Sequence, residues 1–410
     1  MPEAAQARSA AILPEARALG LTLLIAAISF PLIAWVIARE LAFVPVAWCF
    51  LAWAGIAGAL AVWQRRSWLS ALLWCNATGL LLGLAMLEAG YYHMQHREIQ
   101  PTTTVNGQKA QFYHPDPVLG YAPAGPASFH AVSLKPDGST VFDVHYTVDA
   151  AGHRTTPPPV DPADPRSIVF FGCSYTFGYG VDDDATLPYQ TGKLSGLRIH
   201  NFACNGYGPH QMLAAIENGL VAKAVTDHPA LIVYHLIPSH NLRSAGYSDW
   251  DQHSLRYTLA ADGSVQADGH FDDSWFGRVP RRLLIDSAIF QQAIAILNAH
   301  DHNRSPLTVG IIRRSRDLLR QAYPHARFCV VYWDGRTSES DALLKGLRQA
   351  DIPVYLMSDI LPGYPDDAAK YRIMPPFATH PNAIAYSLIA QYLVDHVLPA
   401  AASPADPTSP

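Results

Sequence analysis

Four short segments of the 410-residue sequence carry residue types suited to acyl-transfer chemistry. The first, Gly172-Cys173-Ser174-Tyr175-Thr176-Phe177-Gly178, follows the buried-strand pattern Ser167–Phe171. A serine delivered by a buried strand, flanked by glycines and entering a helix, stands where a nucleophile would stand. The same pattern also describes a turn serine, or an anion-binding loop at a helix N-terminus. It is not a Gly-x-Ser-x-Gly elbow, because Thr176 takes the last place, and no Gly-Lys-Ser/Thr follows to make a phosphate loop. The second segment, Asn201 to Gln211, contains Gly206, which either lets a backbone N–H face a reacting oxygen or makes a tight turn. The third, Pro238 to Arg243, offers Asn241 as a side-chain oxyanion donor or as an ordinary turn residue. The fourth, Phe377 to Asn382, offers His380, whose imidazole can take a proton from serine and return it to a leaving group. Pro381 suits the first helical position and fixes where that ring points. The chain has 18 histidines, so His380 alone carries little; the order Ser, Gly, Asn, His on successive segments carries the argument.

Those segments need a frame. Short apolar strands are expected at Ser167–Phe171, Arg198–Phe202, Leu231–Leu236, Arg327–Tyr332 and Pro353–Met357. Helices are expected near Leu187–Ser195, Met212–Val225, Asp286–Ala299, Val309–Ala322, Ser338–Gln349 and Ala383–Leu398. Buried strands alternating with helices indicate an α/β domain, a three-layer parallel sheet with helices on both faces. In such sheets ligands bind beyond the carboxyl ends of the strands, which is where the four segments fall. Residues 99–165 read as a small β-rich, Pro-rich connecting segment, with alternation over Val141–Val148 and a turn at Asp149 to Gly152. The insert Ser244–Val279 reads as an excursion over the sheet edge. Its Tyr247, Trp250, Trp275 and Phe276 would make either a sugar-stacking wall or a lid packed on its own core. Residues 166–399 form the expected catalytic domain, and residues 400–410 an Ala/Pro/Ser tail expected to be disordered.

Composition places the chain at a membrane. Hydrophobic residues make up 50% and charged residues 15%, against roughly a quarter charged in soluble domains. Met1 to Gln100 holds six Lys/Arg and five Asp/Glu. Three apolar stretches there, Ala18–Ala38, Leu41–Trp63 and Leu69–Ala89, are long enough for the ~20 helical residues that cross a bilayer. Residues 1–98 are therefore expected to be a three-helix anchor in the lipid bilayer. Arg8, Arg17, Arg65 and Arg66 on one side outnumber Arg39 and Arg97 on the other, which puts the N-terminus in the cytoplasm and everything after His93 outside, in a periplasm or its equivalent. A net charge of −5 without a basic run argues against a nucleic-acid partner. No protein partner can be named from the sequence.

Rival chemistries are weaker. Cys173 and Cys204 leave adjacent strands as buried thiols or, less favoured, as a disulfide. His200 and His210 lack metal-ligand spacing, so no metal and no cofactor are expected. Asp182-Asp183-Asp184 reads as a solvated loop.

With these residues in hand, Ser167 to Leu398 resembles the SGNH, or GDSL-type, hydrolase superfamily. Gly172-Cys173-Ser174 is similar to its first block, Gly206 to the glycine of its second, Ser239-His240-Asn241 loosely to its third, and His380-Pro381 to its last. The resemblance implies Ser174 as nucleophile, His380 as base, and an oxyanion hole from the N–H groups of Ser174 and Gly206 with the Asn241 side chain. Two departures stand out: Cys173 replaces an aspartate, and Phe377 stands where an acid three residues before the histidine belongs. Either a Ser–His dyad works alone, or Asp366 or Asp367 orients the ring, or catalysis is lost. The implied function is an outward-facing serine esterase acting on O-acyl groups, O-acetyl on envelope polysaccharide being the plausible case. A binding or scaffold subunit, a lipid esterase and an acyltransferase are the alternatives.

Overall fold

The computed structural model describes residues 46–63, 67–96, 101–107, 112–273, 287, 289 and 304–399. The chain divides into two compact units, Met1–Glu98 with Asp273–Leu297, and Ile99–Asp272 with Asn298–Pro410.

The first unit contains two helices, Val46–Trp63 and Trp68–His96, packed along each other. Of the three expected spans, Ala18–Ala38 lies outside the described residues. The second begins outside them, and its apolar helical part, Phe50–Trp63, is shorter than a bilayer requires. Trp68–Gly90 is long and apolar enough to cross. Among the described residues there is thus one candidate span, not three. Its outward side chains are large and greasy: Leu72, Leu80, Met86 and Leu87 are all exposed. Near its end Glu88 is buried, and its carboxylate accepts hydrogen bonds from Ser287 Oγ (2.8 Å) and the Ile289 N–H (3.1 Å). The insert is divided at Asp272: residues 244–272 belong to the second unit and residues 273–279 to the first. The expected helix Asp286–Ala299 lies outside the described residues except at Ser287 and Ile289, as do Trp275, Phe276 and the tail.

The second unit opens with β1 (Thr102–Val105), β2 (Tyr113–Asp116), β3 (Gly120–Pro123), β4 (Ala127–Leu134) and β5 (Thr140–Val148). These form an antiparallel β1-β4-β5 sheet and a β2–β3 hairpin. Alternation along β5 buries Val144, Tyr146 and Val148 against Phe112, and the same cluster takes in Phe177, Ala203 and Ala378 from segments near Ser174, Gly206 and His380. Residues 99–165 and 166–399 fall in one compact unit apart from 273–297, and the apolar face of this small sheet is covered by the segments around Ser174, Gly206 and His380.

Next in the chain come β6 (Arg166–Phe171), β7 (Arg198–Asn201), β8 (His228–Leu236), the hairpin β9 (Leu255–Leu259) and β10 (Val265–His270), then β11 (Arg327–Tyr332) and β12 (Val354–Leu356). The central sheet runs β12-β11-β8-β6-β7, all parallel. Period-two alternation sends Ile168, Phe170, Leu231 and Val233 to one face, beneath the helix Ala383–Tyr392. It sends Val169, Phe171, Ile232 and Tyr234 to the other, beneath Pro209–Glu217 and Ser305–Ala322. This is the expected α/β architecture with helices on both faces. The helix expected over Met212–Val225 is two, Pro209–Glu217 and Leu220–Ala224, broken at Gly219, whose φ is +73°. A last hairpin, β13 (Arg372–Met374) and β14 (Ala378–Pro381), precedes the final helix. Because β7 and β8 flank β6 on opposite sides, the strand order reverses at the exit of β6, and a crevice opens there.

Candidate active site

The exit of β6 delivers Ser174. Cys173 caps the four-residue helix Ser174–Phe177, and Gly178 ends it in the left-handed conformation (φ +84°), its N–H donating to Ser174 O. One buried cation fixes this turn. Arg154, 1% exposed, donates from Nη1 to the carbonyls of Phe177 (2.7 Å) and Gly178 (2.6 Å), from Nη2 to Val181 O (2.7 Å), and from Nε to Asp183 Oδ1 (2.9 Å). Asp183, expected in a solvated loop, is thus the counter-ion of a buried arginine.

His380 arrives on β14. Asn382 caps the final helix, accepting from the Ala385 N–H (3.1 Å), while its Nδ2 donates to Lys370 O and Arg372 O. Arg372 Nη1 holds Thr379 O at 2.7 Å and also donates to the Tyr175 hydroxyl at 2.8 Å. The imidazole lies between Tyr175 and Tyr179, ring centroids 5.2 and 4.8 Å away. Its Nε2 is 2.9 Å from Ser174 Oγ. The fold therefore brings together two residues 206 positions apart in the geometry that proton transfer requires. With the serine O–H donating to Nε2, the ring proton sits on Nδ1.

Burial, and then the charges of Arg243 and Arg372, push the His380 pKa down to about 4. Beneath it His235 is fully buried, between Thr176 Oγ1 at its Nδ1 and the Trp333 indole N–H at its Nε2, and burial pushes its pKa down to about 3. Both rings are neutral at physiological pH.

Gly206 has φ +84°, and a Cβ there would meet Tyr121 Oη at 2.4 Å and Trp250 Nε1 at 2.6 Å. Its loop is held by its carbonyls. The Tyr121 hydroxyl donates to Asn205 O (2.8 Å), the Trp250 indole to Gly206 O (3.2 Å), and Arg243 Nη1 to Tyr207 O (2.7 Å). The N–H groups of Gly206 and Ser174 have no acceptor among the described residues.

Two expectations are corrected by this geometry. Asn241 does not face the cleft: it is buried in the helix His240–Ser244, and its amide donates to Glu339 Oε1 (2.9 Å) and Ser305 Oγ (3.3 Å). The helical turn after β8 points that side chain at neighbouring helices and sends Arg243 to the cleft instead. Asp366 is exposed and paired with Arg336 (2.7 Å), and neither it nor Asp367 bonds to His380. Phe377 packs in the apolar cluster of the small sheet, under Lys135. Among the described residues, Ser174 is the one hydrogen-bond partner of the His380 ring.

Cys173 and Cys204 are free, buried thiols, and burial pushes the Cys204 pKa up. His200 pairs with Asp227 and His210 with Asp251, at 2.8 and 2.7 Å. Ser174 and His380 open onto a cleft of about 750 Å³ walled by Tyr113, Tyr121, Tyr179, Trp250 and Arg243. Trp250 was legible as an aromatic of the insert. Arg243, Arg372 and Arg154 were not, since nothing in their spacing distinguishes them from surface arginines.

No family model matches the chain, and no curated protein matches it in sequence. Solved structures match at low similarity. An acetyl xylan esterase from the rumen bacterium Butyrivibrio proteoclasticus is 11% identical over 73% of this chain and 83% of its own, with a TM-score of 0.32. A family two carbohydrate esterase from Clostridium thermocellum, solved with cellohexaose, is 12% identical over 72% and 85%, at 0.33. A psychrotrophic esterase from Pseudoalteromonas is 12% identical over 56% and 94%, at 0.29. Likeness this low assigns no family, and the chemistry of the site rests on its own geometry.

Proposed function

We propose that the chain is a membrane-linked serine ester hydrolase of the SGNH type, cleaving short O-acyl groups from an extracytoplasmic glycan. The observation that carries this reading is Ser174 Oγ at 2.9 Å from His380 Nε2, at the mouth of an open cleft. In the first step His380 Nε2 takes the hydroxyl proton as Oγ adds to the ester carbonyl. The N–H groups of Ser174 and Gly206, without other acceptors among the described residues, receive the oxyanion. The imidazolium then protonates the departing alcohol, leaving an acyl-serine that water releases by the same route in reverse.

The cleft wall supports a short acyl group on a sugar. Tyrosines and a tryptophan line it and no Leu, Ile, Val or Met among the described residues does, so there is no aliphatic slot for a long chain. The exposed apolar face of Trp68–Gly90 supports contact with a bilayer, and the arginine bias of the flanks supports the outward orientation. A second reading, a binding subunit that has lost catalysis, is favoured by one feature: no carboxylate among the described residues orients His380.

Hydrolysis of p-nitrophenyl acetate by the detergent-solubilised full chain decides between them. Loss of at least ~100-fold in kcat/KM for both Ser174→Ala and His380→Ala is expected. A folded wild-type protein no faster than its Ser174→Ala variant would sink the hydrolase and leave the binding subunit.

A further inference from the structure

Arg243 is a cation with no neutralising partner among the described residues. No carboxylate of theirs lies within 4.0 Å of its guanidinium, and one donor, on Nη1, is used by Tyr207 O. The group stands 5.7 Å from the Trp250 ring centroid and lines the same cleft as Ser174 and His380. No Asp or Glu among the described residues lines that cleft. Two nearby acids with described side chains are committed elsewhere: Asp251 is fully buried against His210 and Gln211, and Asp272 pairs with His253. Arg372, close enough to bear on His380, holds Thr379 O and Tyr175 rather than a carboxylate.

A partly buried guanidinium left unpaired in a cleft costs free energy unless a ligand supplies the charge. Its planar donors fit carboxylate and phosphate oxygens, and a cleft of one sign concentrates ligands of the other. Aromatic walls match the C–H faces of a sugar ring, whereas an anionic phospholipid would need an aliphatic wall that this cleft lacks.

Building on the ester-hydrolase reading, we propose that the substrate is an acidic glycan, with Arg243 as the counter-ion of a carboxylate or phosphate near the acylated hydroxyl. The test uses the full chain in detergent with three mono-O-acetylated sugars: methyl glucoside, methyl glucuronoside and methyl glucoside 6-phosphate. In wild type, kcat/KM on at least one anionic sugar should exceed that on the neutral sugar by ~10-fold, the ratio that one charge-assisted pair supplies. The preference should weaken with added salt, fall to within about twofold of unity in Arg243→Gln, and survive in part in Arg243→Lys. The two anionic arms separate a uronate from a phosphate.

No preference in wild type, or a preference that persists in Arg243→Gln, overturns the proposal. So does an equal kcat loss on all three sugars in Arg243→Gln with the ratio kept, which would make Arg243 an oxyanion donor. Faster ester release from phosphatidylglycerol vesicles than from any sugar would replace the glycan with a lipid. If no ester is cleaved faster than by Ser174→Ala, it is the hydrolase reading that has failed. Calorimetric binding of glucuronate against glucose oligosaccharides to Ser174→Ala, with and without Arg243→Gln, then decides the anion site: selective binding lost with Arg243 supports it, and equal binding ends it.

Discussion

As the proposed base, His380 sits in an unusual field. A carboxylate beside an imidazole raises its pKa, whereas here burial and two arginines lower it to about 4. The ring therefore stays neutral far into the acid range. The acid limb of kcat/KM for p-nitrophenyl acetate is expected near pH 4 rather than near the ordinary ~6.5. Arg372→Gln removes a charge that disfavours the imidazolium, so it should move that limb upward; a limb unmoved by the substitution would refute the electrostatic account. The sign for stability is separate. As pH falls below about 6.5 the unfolded chain protonates this histidine before the folded one does, so its contribution to stability declines between about 6.5 and about 4. At this scale the sequence was legible where backbone position decides, at Ser174 after a strand and Gly206 in a turn, whereas His380 is carried on a strand of a separate hairpin. It was illegible at Asn241 and Arg243, two residues apart on one helical turn, where a small rotation determines which side chain meets the cleft. Asp366 was plausible by proximity in the chain, yet its partner is Arg336.

The turn that carries Ser174 is held from outside its own strand and helix. Four residues make no self-sufficient helix, and it is Arg154, from the β-rich segment, that gathers the carbonyls of Phe177, Gly178 and Val181. Arg154→Met should leave those acceptors and Asp183 without their donor. The expected cost is about 3 kcal/mol in denaturant unfolding, with a fall in kcat larger than any change in KM. Arg154→Lys should restore little, since an ammonium cannot reach the same set of oxygens. Unchanged unfolding in Arg154→Met would show the clamp to be dispensable. The strands and helices of the sheet were legible because their apolar period is set by burial on two faces; Arg327–Tyr332 and Ser338–Gln349 fall where periodicity puts them. The role of the preceding segment was not, because its partners lie far along the chain, and sequence pattern reports the existence of an apolar face but not what covers it.

At the scale of the molecule, the chain passes between the two units three times, at Glu98–Ile99, Asp272–Asp273 and Leu297–Asn298. In the sequence the anchor ended at residue 98, because hydropathy cannot show that a later stretch returns to it. The return is visible in Glu88, whose buried carboxylate is met by Ser287 and Ile289. Shedding and truncation obey different rules in a chain threaded this way. A protease cut at Glu98–Ile99 would sever one connection and leave two, so clipping there should not part residues 99–410 from residues 1–98. A fragment of residues 99–410 would carry Asp273–Leu297 without residues 1–98, and so without the Glu88 carboxylate that Ser287 and Ile289 meet, while the sequence 288–297 is apolar but for Gln291 and Gln292. That fragment is expected to elute as aggregates on size exclusion. The same fragment with 273–297 replaced by a short Gly/Ser bridge should elute as a monomer; the reverse result would mean that those residues fold without the anchor.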